Sequence, residues 1–286
     1  MVDQAERLRE LIKEQRKNHR LCRVITIASG KGGVGKTSLA VNLGISLAKL
    51  GQKVVLIDAD LGLANVDVML GLAPKYNLGH VISGEKLLSD AIVEGPYGLK
   101  ILPGGTGLYK LANLSEYGLE HCVKCLNDLE NFADIILIDT GAGLSRNVIR
   151  FVLAADEVLI ITTPEPTAIT DAYGVIKVVV SSKPDSAIRV VINMVHNHNE
   201  GVQAIQRLTS VTERFLGATL FDLGFMPADP AVTKAVKLQE PFVISCPQAA
   251  ITHSVTKIAK NLLDKSQLAS RRPQSSSFFE RFLRKF

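Results

Sequence analysis

A glycine-rich turn between an apolar run and a helical pattern limits what this chain can fold into more than any other feature. The turn is Gly30-Lys31-Gly32-Gly33-Val34-Gly35-Lys36-Thr37. Val24-Ile25-Thr26-Ile27-Ala28 precedes it, and a helix-like run from Ser38 to Leu50 follows. The pattern G-x-x-x-x-G-K-T in a strand–loop–helix setting is what a phosphate-binding loop requires. Glycines let successive backbone N–H groups turn inward around an anion, and the helix that follows adds its positive dipole end. Lys36 is placed to reach the β- and γ-phosphates, the Thr37 hydroxyl to bind Mg²⁺, and Ser38 to complete the nucleotide-contacting stretch. Lys31 is a second cation in the same loop. It stands so close to Gly30 that it is hard to aim at its own nucleotide, so it is a candidate to reach a partner's phosphates across a dimer interface.

Such a loop needs a sheet behind it, and the rest of the chain supplies one. Short Val/Ile/Leu-rich runs alternate with helical patterns from Arg23 to about Leu268. The expected strands are Arg23–Ala28, Lys53–Ile57, Leu99–Leu102, Asp134–Ile138, Glu157–Thr162, Ile188–Asn193 and Thr219–Leu223, and helices such as Thr170–Ser181 and Val202–Phe215 separate them. Nearly continuous apolar strands suit a parallel sheet covered on both faces, so the expected fold is α/β: a doubly wound, mostly parallel sheet in one domain. At 286 residues with 47% hydrophobic content, one large core is within reach. No apolar run approaches the roughly 18–20 residues of a membrane span. The charge-rich first 20 residues lack the apolar centre of a secretory signal, so a cytoplasmic protein is expected. The four cysteines (Cys22, Cys122, Cys125, Cys246) include one C-x-x-C beside His121, but no second pair that a structural zinc site would use.

Two further segments carry acids at strand ends. Asp58 and Asp60 follow the second strand, where ligands of open α/β sheets bind. Asp139 ends the buried run Asp134-Ile135-Ile136-Leu137-Ile138 and has the position of a carboxylate that orients Mg²⁺. Thr140-Gly141-Ala142-Gly143 then forms a pliable loop able to sense a γ-phosphate. Asp58, Asp139 and Thr37 are the candidate metal ligands, with ATP and Mg²⁺ as the expected cofactors.

These residues resemble the deviant P-loop family of MinD and ParA-type ATPases, whose loop reads K-G-G-x-G-K-[ST]. The resemblance covers about residues 22–265 and implies slow, Mg²⁺-dependent ATP hydrolysis by a nucleotide-bridged homodimer. It assigns catalysis to Asp60 together with Lys31 and Lys36, and base contact to Asn193 and the segment Pro227-Ala228-Asp229. Gly141 departs from the family, which usually has proline there. No guanine-reading N/T-K-x-D signature occurs.

The ends divide the chain into a leader (1–20), the ATPase domain (21–269), a Ser-rich linker (270–277) and a tail (278–286). On a helical wheel Phe278, Phe279, Phe282, Leu283 and Phe286 share one arc, opposite Glu280, Arg281, Arg284 and Lys285. An aromatic face backed by a basic one suits an anionic membrane surface, with docking onto the protein's own domain as the competing outcome. The leader holds Asp3-Gln4-Ala5-Glu6-Arg7-Leu8-Arg9, and Ala5, Leu8, Leu11 and Ile12 form an apolar stripe. A D-Q-A-x-x-L-R leader before this body resembles the FlhG/FleN-type flagellar branch of the family. That resemblance implies control of flagellar number and placement, stimulation of the signal-recognition-particle-type GTPase FlhF through Gln4, and contact with flagellar switch-ring proteins, for which Lys177 is an exposed candidate. Its expected location is the cytoplasm, reversibly at the inner face of the cell membrane. The alternatives are a cell-division MinD and a ParA-type partition ATPase. The net charge of +5 permits nucleic acid as a partner, but no Lys/Arg stripe demands it.

Overall fold

The computed structural model describes residues 22–60, 65–105, 127–130, 132–264 and 278–283. The leader with Gln4, residues 61–64, Cys122 and Cys125, the linker, and Phe286 lie outside the described residues, as do the side chains of Glu280 and Leu283. Among the described residues eight strands form one sheet in the order β3-β4-β2-β5-β1-β6-β7-β8. They are β1 (Arg23–Ala28), β2 (Val54–Ala59), β3 (Val93–Glu94), β4 (Lys100–Pro103), β5 (Ile135–Thr140), β6 (Glu157–Thr162), β7 (Ala187–Val195) and β8 (Leu220–Pro227). All pairings are parallel except β3 with β4. The longer helices are α1 (Lys36–Lys49), α2 (Arg146–Ala154), α3 (Pro166–Ser182), α4 (His198–Leu216), α5 (Pro230–Leu238) and α6 (Ala250–Leu263), with α7 (Phe278–Leu283) in the tail.

Expected and observed strands agree to within a few residues, and the doubly wound parallel fold stands. Only the two-residue β3 had no counterpart in the sequence reading. It is too short to show a period, and an antiparallel edge strand is common on such sheets. Along β1, Ile25 and Ile27 point into a core shared with α1 and α6, while Val24 and Ala28 point to the other face. That is the period of two that a strand buried on both sides must show. The far face is covered by α2, α3 and α4, and by the tail.

Of the two outcomes open to the tail, the structure holds the docked one: Phe278, Phe279 and Phe282 are buried in the core below β2 and β5. Phe282 stacks on Phe151 of α2 with ring centroids 4.3 Å apart. Arg281 donates to the Ala154 carbonyl from Nε and meets Asp156 at 2.8 Å through Nη2. The Phe278 N–H donates to Glu130 Oε1 at 2.9 Å, so Glu130 receives the start of the tail helix. Burial raises the pKa of the Glu130 carboxyl, and the Phe278 N–H partly offsets the shift.

At the end of the sheet opposite the glycine loop, Glu157 is bound by two arginines. Arg23 donates to Oε1 and Oε2 at 2.9 Å each, and Arg189 to Oε2 at 2.6 Å. Glu157 and Arg189 are about 1% exposed, and Arg23 also donates to the Leu262 carbonyl. The cluster therefore joins β1, β6, β7 and the end of α6. Removing one member leaves the others charged and dry, which costs about 3–5 kcal/mol. Glu157→Ala should lower the urea unfolding free energy by that order; a loss under about 1 kcal/mol would show the network to be dispensable.

Candidate functional site

The site lies at the C-terminal ends of β1, β2 and β5, where the strand order turns back on itself. β2 lies beyond β5 on one side of β1, and β6 flanks the other side, which is the switch point at which open α/β sheets bind ligands. The loop after β1 has Gly33 at φ 80° and Gly35 at φ 90°. Side chains are strained in that conformation, so glycine is needed at both. Gly35 is the N-cap of α1, and no side chain caps the helix start. The first N–H groups of α1 therefore have no intrahelical acceptor, and an anion is their natural partner.

Around this opening the structure gathers most of the residues that the sequence pointed to. Asp58 and Asp139 are cross-strand neighbours in the β2–β5 register. Lys36, 9% exposed, holds its ammonium 3.6 Å from Asp139 Oδ1. Asp139 is fully buried, and among the described residues neither of its carboxylate oxygens has a partner that meets hydrogen-bond geometry. Burial raises its pKa, while nearby Lys36 and Thr37 favour the charged form. A buried carboxylate left without donors beside a threonine hydroxyl is a good fit for Mg²⁺. That ion takes one or two carboxylates and fills its remaining positions with water and phosphate oxygens. Among the described residues no cluster of three or more His, Cys, Asp or Glu offers another metal site.

Asp58 differs from Asp139 in being well bonded. It accepts from the backbone N–H groups of Asp60, Asn65 and Val66, so it pins both ends of the segment that follows β2. Burial, with the charge of Asp139 second, pushes its pKa up to about 7. Asp60 projects over the next loop: a Cβ at Gly141 would lie 3.5 Å from its Oδ1. That second loop is tied to the first, because Gly143 N–H donates to Ser29 O at 2.8 Å and Thr140 Oγ1 to Ile27 O at 2.9 Å.

Other residues take unexpected roles. Lys31, 45% exposed at its side chain, turns away from its own loop and pairs with Glu165 at 3.0 Å. Glu165 is the N-cap of α3, with Pro166 at the first helical position, so the run Pro164-Glu165-Pro166 was the available signal. Asp229, expected at the base, caps α5 through Ala231 N–H and also accepts from Ile251 N–H. Its carboxylate thus helps to hold the start of α5 and α6 together. Asn193 reaches the glycine loop itself and donates to Val34 O at 2.8 Å. Lys177 is exposed on α3, as expected.

Known proteins resemble this chain in both sequence and fold. The profile of the AAA domain family matches residues 22–190. The antiactivator FleN of Pseudomonas aeruginosa is 40% identical over 260 residues, covering 91% of this chain and 93% of FleN. The flagellum site-determining protein YlxH of Helicobacter pylori is 35% identical over 266 residues, covering 91% of this chain and 89% of YlxH. Among solved structures, the septum site-determining protein MinD complexed with Mg-ADP from Pyrococcus horikoshii superposes with a TM-score of 0.70 at 28% identity, covering 88% of this chain and all of that one.

The raised pKa of Asp58 has a consequence for stability. Its folded value, about 7, exceeds the ordinary 3.8, so folding takes up a proton between these limits. Its contribution is therefore fully present below about pH 4 and is lost as pH rises through 7. In nucleotide-free protein with EDTA, unfolding free energy should fall between pH 5 and 8 by at least about 1 kcal/mol more in the native chain than in Asp58→Asn. Parallel urea curves of the two proteins at both pH values would contradict this.

Proposed function

The chain belongs to the FlhG/FleN-type branch of the MinD/ParA-type ATPases, and from that premise we propose that it is an ATP-switched dimer that sets flagellar number and placement from the membrane. The activity is Mg²⁺-dependent hydrolysis of ATP. The α1 amides and Lys36 hold the phosphates, Asp139 and Thr37 hold Mg²⁺, and Asp58 fixes the segment that carries Asp60. Bound Mg²⁺ supplies positive charge against the phosphate oxygens. Asp60, lying over Gly141, is positioned to orient the attacking water. Contact between the Asp60 segment and the second loop gives the site a way to report loss of the γ-phosphate.

The exposed position of Lys31 carries the dimer reading. Its cation is directed outward and held only by an exposed ion pair, which is worth about 0–1 kcal/mol. It can leave Glu165 for the phosphates of a second subunit at little cost. Two subunits related by a two-fold axis would each contribute this lysine to the other.

The docked tail supports a second half of the cycle. Phe278, Phe279 and Phe282 cannot be buried in the domain and in lipid at once. Release must break the bonds of Arg281 to Asp156 and to the Ala154 carbonyl and of Phe278 N–H to Glu130, and must uncover the apolar surface around Phe151, so burial in lipid has to offset both. ATP-driven dimerisation would then present two tails together, and their combined avidity would hold the dimer at the inner face of the cell membrane. Gln4 and the leader would act on FlhF, and the exposed α3 surface at Lys177 on switch-ring proteins.

Three variants test this on a sizing column with Mg²⁺ and ATP. Lys36→Ala should fail to bind ATP. Lys31→Ala should bind ATP and stay monomeric. Asp60→Ala should bind, dimerise and release no phosphate; were it a monomer at saturating ATP, the dimer reading would fall. Asp156→Asn, which removes the charge opposite Arg281, should raise nucleotide-free flotation with anionic vesicles severalfold, and removal of residues 278–286 should abolish flotation while ATP binding, measured below the truncated chain's lowered melting temperature, is retained. Flotation by the truncated chain would refute the anchor.

A further inference from the structure

Asn193 stands where a base contact was expected, yet its amide serves the phosphate loop. The residue is 6% exposed and lies on β7, separated from β1 by β6. Strand alternation puts it on the same face as Val191, the face covered by α1. Its Nδ2 donates to the Val34 carbonyl at 2.8 Å, and its Oδ1 accepts from the Met194 N–H at 2.8 Å. A Cβ at Gly35 would collide with that same Nδ2, so side chain and loop touch across the whole Val34–Gly35 peptide.

The backbone after Asn193 is shaped to hold this amide. Met194 has φ 60°, a left-handed conformation that non-glycine residues seldom adopt. The β7–β8 register shifts between Ile192 and Val195, as at a bulge. The Met194 N–H that would otherwise face the next strand bonds instead to Asn193 Oδ1. Both ends of the amide are thereby fixed, one to its own strand and one to the loop.

A trans peptide points its C=O and the following N–H in opposite directions. Gly35, at φ 90°, is the residue through which this peptide most easily turns over. Turned over, it would aim the Val34 carbonyl at the phosphates and remove the Gly35 N–H from them.

We propose that Asn193 is a positioning residue that locks the Val34–Gly35 peptide, holding the carbonyl outward so that the Gly35 N–H faces the phosphates. This loop contact is made whichever base is bound, and the second Nδ2 hydrogen and second Oδ1 lone pair stay open to one. The proposal rests on the nucleotide reading of the loop, and Lys36→Ala separates the two: if that variant bound ATP normally, the nucleotide reading itself would be at fault.

The test compares full-length native protein with Asn193→Ala and Asn193→Asp, using ATP, GTP and inorganic tripolyphosphate with Mg²⁺ in competition against a fluorescent ATP analogue. Asn193→Ala should weaken all three ligands about tenfold or more, base-free tripolyphosphate included. Asn193→Asp sets a carboxylate against the Val34 carbonyl and should be no better than alanine. If Asn193→Ala is unfolded at the assay temperature, Asn193→Ser, which keeps an acceptor for Met194 N–H, is measured in its place with the same expectation. A loss confined to ATP, with tripolyphosphate unaffected, would make Asn193 a base reader and overturn the proposal, as would unchanged affinity for every ligand.

Discussion

A buried carboxylate without hydrogen-bond donors is costly, and Asp139 is one at the centre of this molecule. It is tolerated because Lys36 stands 3.6 Å away and because the site is built to receive further positive charge. The elements around it follow from that requirement. β1 and β2 flank β5, so the glycine loop and the Asp58 segment both open beside it. Asp58, its cross-strand neighbour, is pushed toward the neutral form by burial and by the same charge. A site in this condition binds Mg²⁺ and phosphate as the partners its own groups lack.

The opposite end of the sheet handles buried charge in another way. Glu157 is fully paired there by Arg23 and Arg189, and the network needs no ligand. The contrast separates a structural charge cluster from a functional one by a physical criterion: the first is satisfied within the fold and the second is not. A similar contrast divides the ion pairs of the surface. Lys31 and Glu165 are both exposed and exchangeable, whereas Arg281 and Asp156 are largely covered and help to hold the tail.

Much of this was legible in the chain. The apolar runs located every strand but β3, because a strand buried on both faces needs a run of branched aliphatic residues. The phosphate loop was legible because its glycines, lysine and threonine are contiguous. Asp58, Asp60 and Asp139 were legible because strand ends are recognisable once the strands are. The contacts made by Glu165, Asn193 and Asp229 were not legible, for one shared reason. Each acts on a group far away in sequence: Lys31 for Glu165, Val34 for Asn193 and Ile251 for Asp229. Local pattern carries no information about such partners.

The tail marks the boundary most clearly. Its helical pattern and its aromatic and basic faces belong to the sequence alone, because they follow from side-chain spacing around a helix. Whether the aromatic face meets lipid or protein does not, since both offer the same relief from water. The tertiary structure supplies the protein partner, by placing Phe151 for stacking, Glu130 at the helix start and Asp156 opposite Arg281. Local chemistry thus determined what each segment is able to do, and only the assembled sheet determined which partner each one found.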